Sequence, residues 1–479
     1  MSTLVAPAFA TASDRAARIR FRRALMLLVM TLVLPGSAQV VAGDRRMGWI
    51  ALRTVFAVFV AGVLTGLLSM VHHQFAFWLV TTPWILNVIR FALIALAIGW
   101  AYLFVDAWRI GQPLSLLMGH RRTVVAVNLV LTLAVTATLL FSAHVVAVQR
   151  GFILSVFSGE EVVGAHDGRF NVAILGGDAG AGRWGMRPDS MTIASIDATT
   201  GKTVLIGLPR NMANFTFPRG SVMAEQFPDG FNCEGCYLNG LWTWAEDHPS
   251  LFGDTAHPGI DATLSGMEGI SGLRINYWVT ADLSGFKQIV DAVGGVTLNV
   301  RQPIPVGGLG DDVTGYIDPG VQKLNGFETL WYARAREGSD DYSRMARQKC
   351  VMNALLGQVS PQQVLTNFQK IADAGSAMLQ TSIPAGEVDR FIDLALKAKG
   401  QKISTLSLVP PLVPNTADPN IAQIHAKVTA AVKPAAGQKA PSPKTGGVPK
   451  DLDTVTGGSL GSLSGGYQAN QTADLSRAC

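Results

Sequence analysis

The sequence predicts an α/β protein in which transmembrane helices precede a mixed αβα layered domain. Four long apolar stretches fill the first third of the chain, and strand-like runs alternate with helix-like runs further on. With 479 residues, a mean hydropathy of +0.28 and only 15% charged residues, the chain is too apolar to be wholly soluble. A membrane region followed by a globular domain is therefore the expected division.

The apolar stretches define a membrane region over residues 24–148. They cover 24–43, 49–70, 85–107 and 124–148, and a stretch of about 20 apolar residues is long enough to cross a bilayer as a helix. No small-residue cleavage site follows a short apolar core near the N-terminus. We therefore expect a permanent anchor and no removable signal peptide.

The arginines predict how this region is oriented, because basic residues in short loops stay on the cytoplasmic side. They form three groups, at 15–23, 45–46 and 109–122. If all three are cytoplasmic, the stretch 24–43 cannot cross, and Pro35-Gly36 in its middle favours a re-entrant hairpin. The other three stretches then cross. Four full crossings, the alternative, would place the globular domain in the cytoplasm and contradict the loop charges.

With three crossings, residues 1–23 form a cytoplasmic basic tail and a connector over 149–168 leads to an extracytoplasmic domain. The apolar runs Phe170–Leu175, Met191–Ile196 and Thr203–Leu208 have the length of strands. Helix-like and strand-like runs then alternate, which predicts an αβα domain over 169–432. From 433 to 479 the apolar periodicity stops and Pro, Gly, Ser, Lys and Thr dominate, which predicts a flexible tail.

The first cluster of chemically useful residues lies at the ends of the first three predicted strands, after the first, before the second and after the third. It consists of Gly176-Gly177-Asp178, Arg187-Pro188-Asp189 and Pro209-Arg210. Loops at strand ends place functional side chains over a rigid sheet, and Arg187 and Asp189 share one side of an extended segment. Two carboxylates with arginines suit Mg²⁺ and a diphosphate. A surface salt bridge near a turn is the alternative that these residues leave open.

The second cluster is rich in arginine. It consists of Leu324-Asn325-Gly326, Tyr332-Ala333-Arg334-Ala335-Arg336 and the run from Asp341 to Gln348. Asp341, Arg344 and Arg347 are spaced by three and drift along one flank of a predicted helix, with Gln348 close to Asp341. Arginines gathered with few carboxylates repel one another unless an anion neutralises them, and phosphate matches guanidinium geometry best. The alternative is a solvated basic helix.

In their order and spacing, these blocks resemble the signature of the LytR-CpsA-Psr family. The matching blocks are Leu175 to Asp178, Arg187 to Met191, Leu208 to Arg210, Leu324 to Gly326 and Arg334 to Gln348. The resemblance implies a membrane anchor and an αβα domain that binds a polyprenyl diphosphate. It also implies the transfer of a glycopolymer phosphate to peptidoglycan. Two positions depart from the usual pattern, Pro188 where Ser is common and Asn211 where Asp is common.

The resemblance implies roles for individual residues. Asp178 and Asp189 would bind Mg²⁺, Asp341 would be the catalytic base, and Arg334 and Arg336 would assist the chemistry. The diphosphate would be contacted by Arg187, Arg210, Arg334, Arg336, Arg344, Arg347 and Gln348. The expected partners are a polyprenyl-diphosphate-linked glycan, peptidoglycan and membrane lipid. The multispan anchor and the 50 glycines resemble actinobacterial relatives, which favours an arabinogalactan-type polymer.

The four cysteines all follow the last apolar stretch, as expected for a domain in an oxidising compartment. Cys233 and Cys236 are predicted to form a local disulfide, since a zinc site there would find only His248 and His257 as further ligands. Cys350 pairs with Cys479, or either is free.

Nucleic-acid binding is less compatible with the residues than transfer, whereas two other functions remain open. The net charge of +5 is concentrated beside the membrane stretches early in the chain, and an external domain cannot reach a genome, so nucleic-acid binding is not expected. Hydrolysis of the polyprenyl diphosphate by water, and binding without turnover, use the same residues as transfer. The sequence leaves both open.

Overall fold

The structure is a computed structural model that describes residues 12–71, 73–157, 159, 161–178, 187–308, 312–358, 370, 379–399, 401–433, 461–462 and 466–479. The chain divides into two compact units, Met1–Gly151 and Phe152–Cys479. The first unit is helical. The second contains all the strands that the structure describes.

The part of the first unit that the structure describes is built of helices. The helices are α1 (Ala12–Val33), α2 (Ser37–Ala42), α3 (Arg45–Val71), α4 (His73–Thr81), α5 (Pro83–Ile110) and α6 (Met118–Val156), the last of which continues into the second unit. Three segments of the described part are long and apolar enough to cross a membrane, namely Arg45–Leu68, Pro83–Ser115 and Met118–Val156. The last two contain the expected stretches 85–107 and 124–148, and the first covers the expected stretch 49–70 as far as residue 68.

A helical hairpin occupies the first apolar stretch. Its turn lies at Pro35-Gly36, where Gly36 has a φ of 95° that an L side chain rarely adopts. A Cβ at Gly36 would also lie 2.5 Å from the carbonyl oxygen of Gly48, closer than two such atoms can approach. The break that we expected from this pair is therefore present, although α1 begins well before residue 24.

The second unit alternates strands and helices along most of its length. Its strands are β1 (Arg169–Asp178), β2 (Arg187–Asp197), β3 (Thr203–Leu208), β4 (Tyr277–Asp282), β5 (Val296–Val300), β6 (Ile304–Gly307), β7 (Val313–Ile317), β8 (Gly320–Leu324), β9 (Leu379–Thr381), β10 (Ser404–Ser407), β11 (Gly461–Ser462), β12 (Gly466–Tyr467) and β13 (Gln471–Thr472). Its helices are α7 (Val222–Gln226), α8 (Leu241–Asp247), α9 (Pro258–Ser271), α10 (Leu283–Ala292), α11 (Gly326–Arg334), α12 (Asp341–Gln358), α13 (Val388–Lys399), α14 (Ile421–Val432) and α15 (Leu475–Ala478).

A seven-stranded mixed sheet is the centre of this unit. Its strands are ordered β13-β10-β3-β2-β1-β4-β9. The central hairpins β1-β2 and β2-β3 are antiparallel, whereas β4 and β10 are parallel to their inner neighbours. Strands β5 to β8 form two separate hairpin-like pairs beside it. The predicted mixed α/β class is confirmed.

Alternating side chains divide the sheet into two faces, because successive residues of a strand point to opposite sides. On the first face, Leu175, Ile193 and Ile206 pack with α8, α9 and α14. On the second face, Ala194 and Leu205 pack with α11 and α12. Helices on both faces of one sheet give the αβα layers that the sequence predicts.

Helix caps fix the starts of the helices on the second face. Asp282 accepts a hydrogen bond from the Gly285 amide at 2.6 Å at the start of α10. Asn325 and Glu328 form a capping box at the start of α11, with bonds of 2.9 and 2.8 Å. The carboxylate of Asp340 accepts from the Ser343 amide at 2.7 Å at the start of α12.

Two expected boundaries are wrong. The connector expected over 149–168 is helical as far as Val156, because nothing in the apolar stretch before it ends α6. The tail expected to be flexible from 433 ends in an ordered segment, in which β13 adds an edge strand to the sheet and Cys479 forms a disulfide with Cys350. Composition alone does not reveal backbone pairing or a disulfide.

Candidate functional site

A deep cavity opens on the second face of the sheet, between β1, β2 and β4 on one side and α10, α11 and α12 on the other. It encloses about 1090 Å³ including its open mouth. Polar and charged side chains lie at one part of its wall, and apolar side chains form the rest. This division is the main feature of the site.

Three small residues of the sheet, Gly176, Ser190 and Thr192, leave room for the cavity. Ile174 is paired with Thr192 and Gly176 with Ser190 across β1 and β2, and all four line the cavity. A Cβ at Gly176 would lie 3.3 Å from the Cβ of Ser190, a tighter contact than side chains normally make. The glycine and the two hydroxyl residues therefore keep this part of the sheet thin.

Three arginines reach the cavity from consecutive parts of the chain. Arg334 ends α11, Arg336 follows in the loop, and Arg344 lies in the second turn of α12. Asp189 of β2 lines the same cavity. Residues of the two sequence clusters, such as Asp189 and Arg334, thus meet at one site although they are 145 positions apart in the chain.

Asp341 and Asp189 hold the arginines together. Arg344 forms a fork with Asp341, with Nε and Nη2 at 3.1 Å from Oδ1 and Oδ2. Arg210 lies 2.5 Å from Asp189 and 3.6 Å from Asp341, and Arg336 lies 3.9 Å from Asp341. The described side chains of this group thus include more positive than negative charges.

The electrostatics of Arg336 show this excess of positive charge. Burial lowers the pKa of its guanidinium below the ordinary value, and the neighbouring charges of Arg210 and Arg344 lower the pKa further. The carboxylates of Asp341 and Asp189 oppose the shift. A site that disfavours its own cation is one in which a further anion is stabilised.

Another part of the cavity wall is apolar. It is formed by Ile174 of β1, Leu283 and Phe286 of α10, Leu330 of α11, and Val351 and Met352 of α12. The sequence does not reveal this cavity. Periodicity identifies which face of a helix is apolar, but it does not show whether the facing side chains fill the space.

Gln348 joins the two walls of the site. Its Oε1 accepts from the Ser190 hydroxyl at 2.9 Å, and its Nε2 donates to the carbonyl of Ala333 at 3.3 Å. Arg187 is exposed and begins β2 opposite Asp178. The side chain of Asp178 lies outside the described residues.

Arg347 does not line the cavity, contrary to our expectation. It is 1% exposed, and its guanidinium donates to the carbonyls of Tyr332 and Ala335 and to the Ser343 hydroxyl. Burial lowers its pKa to about 10. Arg347 therefore ties the end of α11 to α12, and it supports the site without contacting a ligand in the cavity.

Lys349 is a charged residue of the site that the sequence reasoning missed. It lies at the cavity wall, is 2% exposed, and donates to Ser407 and to Asn470. Burial lowers its pKa to about 7. Its position one residue after Gln348 was the only available signal.

The residues present fit Mg²⁺ only in part. Within the described ranges, no three His, Cys, Asp or Glu side chains gather as a metal site. Asp189 offers one carboxylate beside the arginines, and Mg²⁺ commonly takes one or two carboxylates and completes its shell with water and substrate phosphates. The donor set thus fits a metal that arrives with a diphosphate.

The structure contains two disulfides. Cys233 and Cys236 are joined, with Cα atoms 5.1 Å apart, in the insert before α8. Cys350 of α12 is joined to Cys479, with Cα atoms 5.4 Å apart. The sequence left the second pairing open.

The fold and the site define a mixed αβα domain with a cavity lined by arginines and by apolar side chains. Residues 146–426 match the sequence model of the LytR_cpsA_psr family. This match covers more than half of the chain. The chain belongs to the LytR_cpsA_psr family.

Individual relatives are distant and match only part of the chain. The Biofilm regulatory protein A of Streptococcus mutans is 26% identical over 47% of this chain and 52% of its own length. The polyisoprenyl-teichoic acid–peptidoglycan teichoic acid transferase TagV of Bacillus subtilis is 31% identical over 31% of this chain and 39% of its own length. The chain thus matches about half the length of these relatives or less.

Solved structures were found at lower identity. The crystal structure of Bacillus subtilis TagV is 23% identical, with a TM-score of 0.40, over 56% of this chain and 100% of that chain. The protein gbs0355 of Streptococcus agalactiae is 21% identical, with a TM-score of 0.42, over 57% of this chain and 91% of that chain.

Proposed function

We propose that this chain transfers a glycopolymer phosphate from a polyprenyl-diphosphate carrier to a sugar hydroxyl of peptidoglycan. One observation carries the proposal: a single cavity is lined both by arginines and by apolar side chains. A lipid diphosphate has the same two parts, an anionic head and a hydrocarbon tail. Few other ligands need both.

The arginines of the cavity suit the diphosphate. In the structure Arg210, Arg336 and Arg344 share the two carboxylates of Asp189 and Asp341. A diphosphate offers more oxygen acceptors than these carboxylates, and arginine binds phosphate oxygens in forks. The arginines would therefore keep an anionic partner as they pass from the aspartates to the ligand.

The apolar part of the wall suits the prenyl chain. Burying apolar surface is favourable by roughly 25 cal/mol per Å². A diphosphate with a tail of several isoprene units should therefore bind this pocket more tightly than a diphosphate without a tail. The tail would contact the side chains of Phe286, Leu330, Val351 and Met352. The head would then be held at the arginines, within reach of Asp341.

The reaction would be an attack of the acceptor hydroxyl on the phosphorus that carries the glycan. The new bond joins the sugar oxygen to that phosphorus, the bond from the phosphorus to the bridging oxygen breaks, and polyprenyl phosphate leaves. The hydroxyl proton goes to the carboxylate of Asp341, which is freed when Arg344 and Arg210 turn to the phosphates. Positioning and charge neutralisation supply most of the rate, as in other phosphoryl transfers.

We also propose that Mg²⁺ accompanies the diphosphate. Asp189 would hold it, with Asp178 as the second carboxylate at the neighbouring strand end, where the backbones of Asp178 and Arg187 are paired. The ion would neutralise phosphate charge. The arginines would still select and orient the ligand.

The polymer and the location belong to the same proposal. We propose an arabinogalactan-type polymer in an actinobacterial wall, supported by the three candidate spans and the 50 glycines of the chain. The name of the TagV relative supports wall-polymer transfer in general.

The three arginine groups support a location in the plasma membrane with the second unit outside the cytoplasm. A reporter active only outside the cytoplasm, fused after Arg150, should be active, and activity of a cytoplasm-only reporter there would contradict the orientation.

The proposed reaction is tested by supplying the purified full-length protein with lipid-linked glycan, with and without peptidoglycan. Transfer predicts glycan attached to peptidoglycan and release of polyprenyl phosphate that depends on the acceptor. Release at equal rate without acceptor would mean that water is the acceptor and the protein is a phosphatase. If no polyprenyl phosphate is released in either condition, the protein binds the lipid diphosphate without turning it over.

A further inference from the structure

We propose that Tyr467 and Asn470, in the C-terminal segment of residues 466–479, are positioning residues for Asp341 and Arg344. The inference rests on the proposed transferase function, because it concerns how the reacting groups are held. The C-terminal segment forms β12, β13 and α15 and packs beside α12. Composition gives no reason to expect such a role.

The first contact is at the start of α12. The hydroxyl of Tyr467 donates to Oδ2 of Asp340 at 2.7 Å. The other oxygen of Asp340 accepts from the Ser343 amide at 2.7 Å and so caps the helix. Because Asp341 follows Asp340 directly, Tyr467 fixes the turn from which the proposed base projects.

The second contact is made two residues further along the chain. The side-chain amide of Asn470 donates to the carbonyl of Tyr342 at 2.9 Å. Its oxygen accepts from Nζ of Lys349 at 2.9 Å and from the Ser407 hydroxyl at 3.2 Å. Asn470 is 1% exposed, so these bonds are made without competition from water.

Asn470 therefore connects two levels of the same helix. Tyr342 lies in the first turn of α12, between Asp341 and Arg344, while Lys349 lies two turns later at the cavity wall. The segment itself is fixed to the sheet, since Thr405 of β10 donates to the carbonyl of Ala469 at 2.9 Å and β13 pairs with β10. Through these contacts the sheet holds the N-terminal turn of α12, where Asp341 and Arg344 lie.

The need for such support follows from the site. Asp341 is contacted by three arginines that would turn towards a bound diphosphate, and Asp340 is a second carboxylate beside it. If the Tyr467 hydroxyl is removed, Oδ2 of Asp340 loses its donor and can rotate towards those arginines. A competing carboxylate would then displace Asp341 from the geometry that transfer needs, and small displacements of reacting groups slow reactions strongly.

The test uses Tyr467→Phe in the full-length protein, which removes only the hydroxyl. Ser476→Ala is the matched control, since Ser476 also loses one hydroxyl in the same segment but is bonded to Asp474 and not to α12. We expect kcat for transfer to fall about tenfold in Tyr467→Phe. The KM for the lipid diphosphate and the melting temperature should stay close to those of the wild type, and Ser476→Ala should change none of them.

Amide hydrogen exchange supplies a measurement that is independent of turnover. Peptides covering residues 340–347 should exchange faster in Tyr467→Phe than in the wild type and in Ser476→Ala. Unchanged kcat and unchanged exchange would overturn the inference. So would a loss of activity that only follows a loss of folded protein, since that describes a structural role. A wild-type protein without turnover would instead contradict the proposed function, while the exchange of α12 still decides whether Tyr467 holds it.

Asn470→Asp is a second variant that keeps the acceptor for Lys349 and removes the donor for Tyr342. We expect kcat to fall and KM to stay unchanged, as in Tyr467→Phe. If Asn470→Asp transfers glycan at the wild-type rate, the bond to Tyr342 has no positioning role.

Discussion

The two faces of the central sheet use the same strands for different purposes. On the first face Leu175, Ile193 and Ile206 are fully covered by α8, α9 and α14. On the second face the neighbouring positions are Gly176, Ser190 and Thr192. Large apolar residues seal one side and small residues leave a cavity on the other. The comparison shows that alternate residues of one strand fill the core on one face and line a cavity on the other.

The sealed face should respond to truncation with a loss of stability alone. Ile206 is 0% exposed within the apolar cluster, so Ile206→Ala should lower the free energy of unfolding by about 2–5 kcal/mol. Chemical denaturation followed by tryptophan fluorescence measures this. Transfer per folded molecule should stay near the wild-type rate, and a specific loss of transfer would show that the two faces are not separate in function.

The open face should respond in the opposite way. Arg336→Ala should lower kcat/KM for transfer by about 10²–10³-fold, as expected when one donor to a developing charge is lost. Its unfolding should resemble that of the wild type. Arg390→Ala is the control, because the half-exposed Arg390 pairs with Glu387 at 2.6 Å and does not line the cavity. Equal transfer rates in Arg336→Ala and Arg390→Ala would contradict the assignment of Arg336 to the site.

Lys349, which lies on the open face, should make the stability of the folded chain depend on pH. Because burial lowers its pKa from 10.5 to about 7, the unfolded chain binds more protons than the folded chain between these values. Stability should therefore rise with pH across this window, by at most about 1.4 kcal/mol per pH unit, and fall as the pH drops towards 7. Unfolding of wild type and Lys349→Met from pH 7 to 9.5 measures the difference. Parallel curves would mean that Lys349 keeps its ordinary pKa.

The smallest expected effect concerns the length of the lipid. Ala281 of β4 lines the cavity, and Ala281→Leu would displace one or two methylene groups of a tail, each worth about 0.8 kcal/mol. We expect KM to rise about fivefold for a long polyprenyl carrier. A three-isoprene carrier should be unaffected. Equal changes for both carriers would place the tail elsewhere.

Much of the fold could be predicted from the sequence, because continuous apolar runs mark buried strands. The runs 170–175, 191–196 and 203–208 lie within β1, β2 and β3. The pairing of β1 with β2 also brings Asp178 opposite Arg187, as their position at strand ends suggests. Local patterns thus identified the elements and the parts of the chain that meet.

Side-chain direction and distant pairing could not be predicted. At about 100° per residue, Arg347 is turned by about 120° from Asp341 around the helix, so regular spacing alone did not show that it faces Tyr332 and the interior. The ordered end of the chain depends on β13 pairing with β10 and on a disulfide to Cys350. Neither leaves a local pattern in a stretch rich in glycine and serine.

The most direct test of the central claim is the thermal stabilisation of the full-length protein by farnesyl diphosphate with Mg²⁺. The wild type and Arg390→Ala should melt at a higher temperature with the ligand than without it. Arg336→Ala should melt no lower than the wild type when the ligand is absent, since it relieves repulsion from Arg210 and Arg344, and it should lose most of the stabilisation by the ligand. If Arg336→Ala instead melts several degrees lower without ligand and keeps the full stabilisation, these arginines form a structural network and are not the diphosphate site.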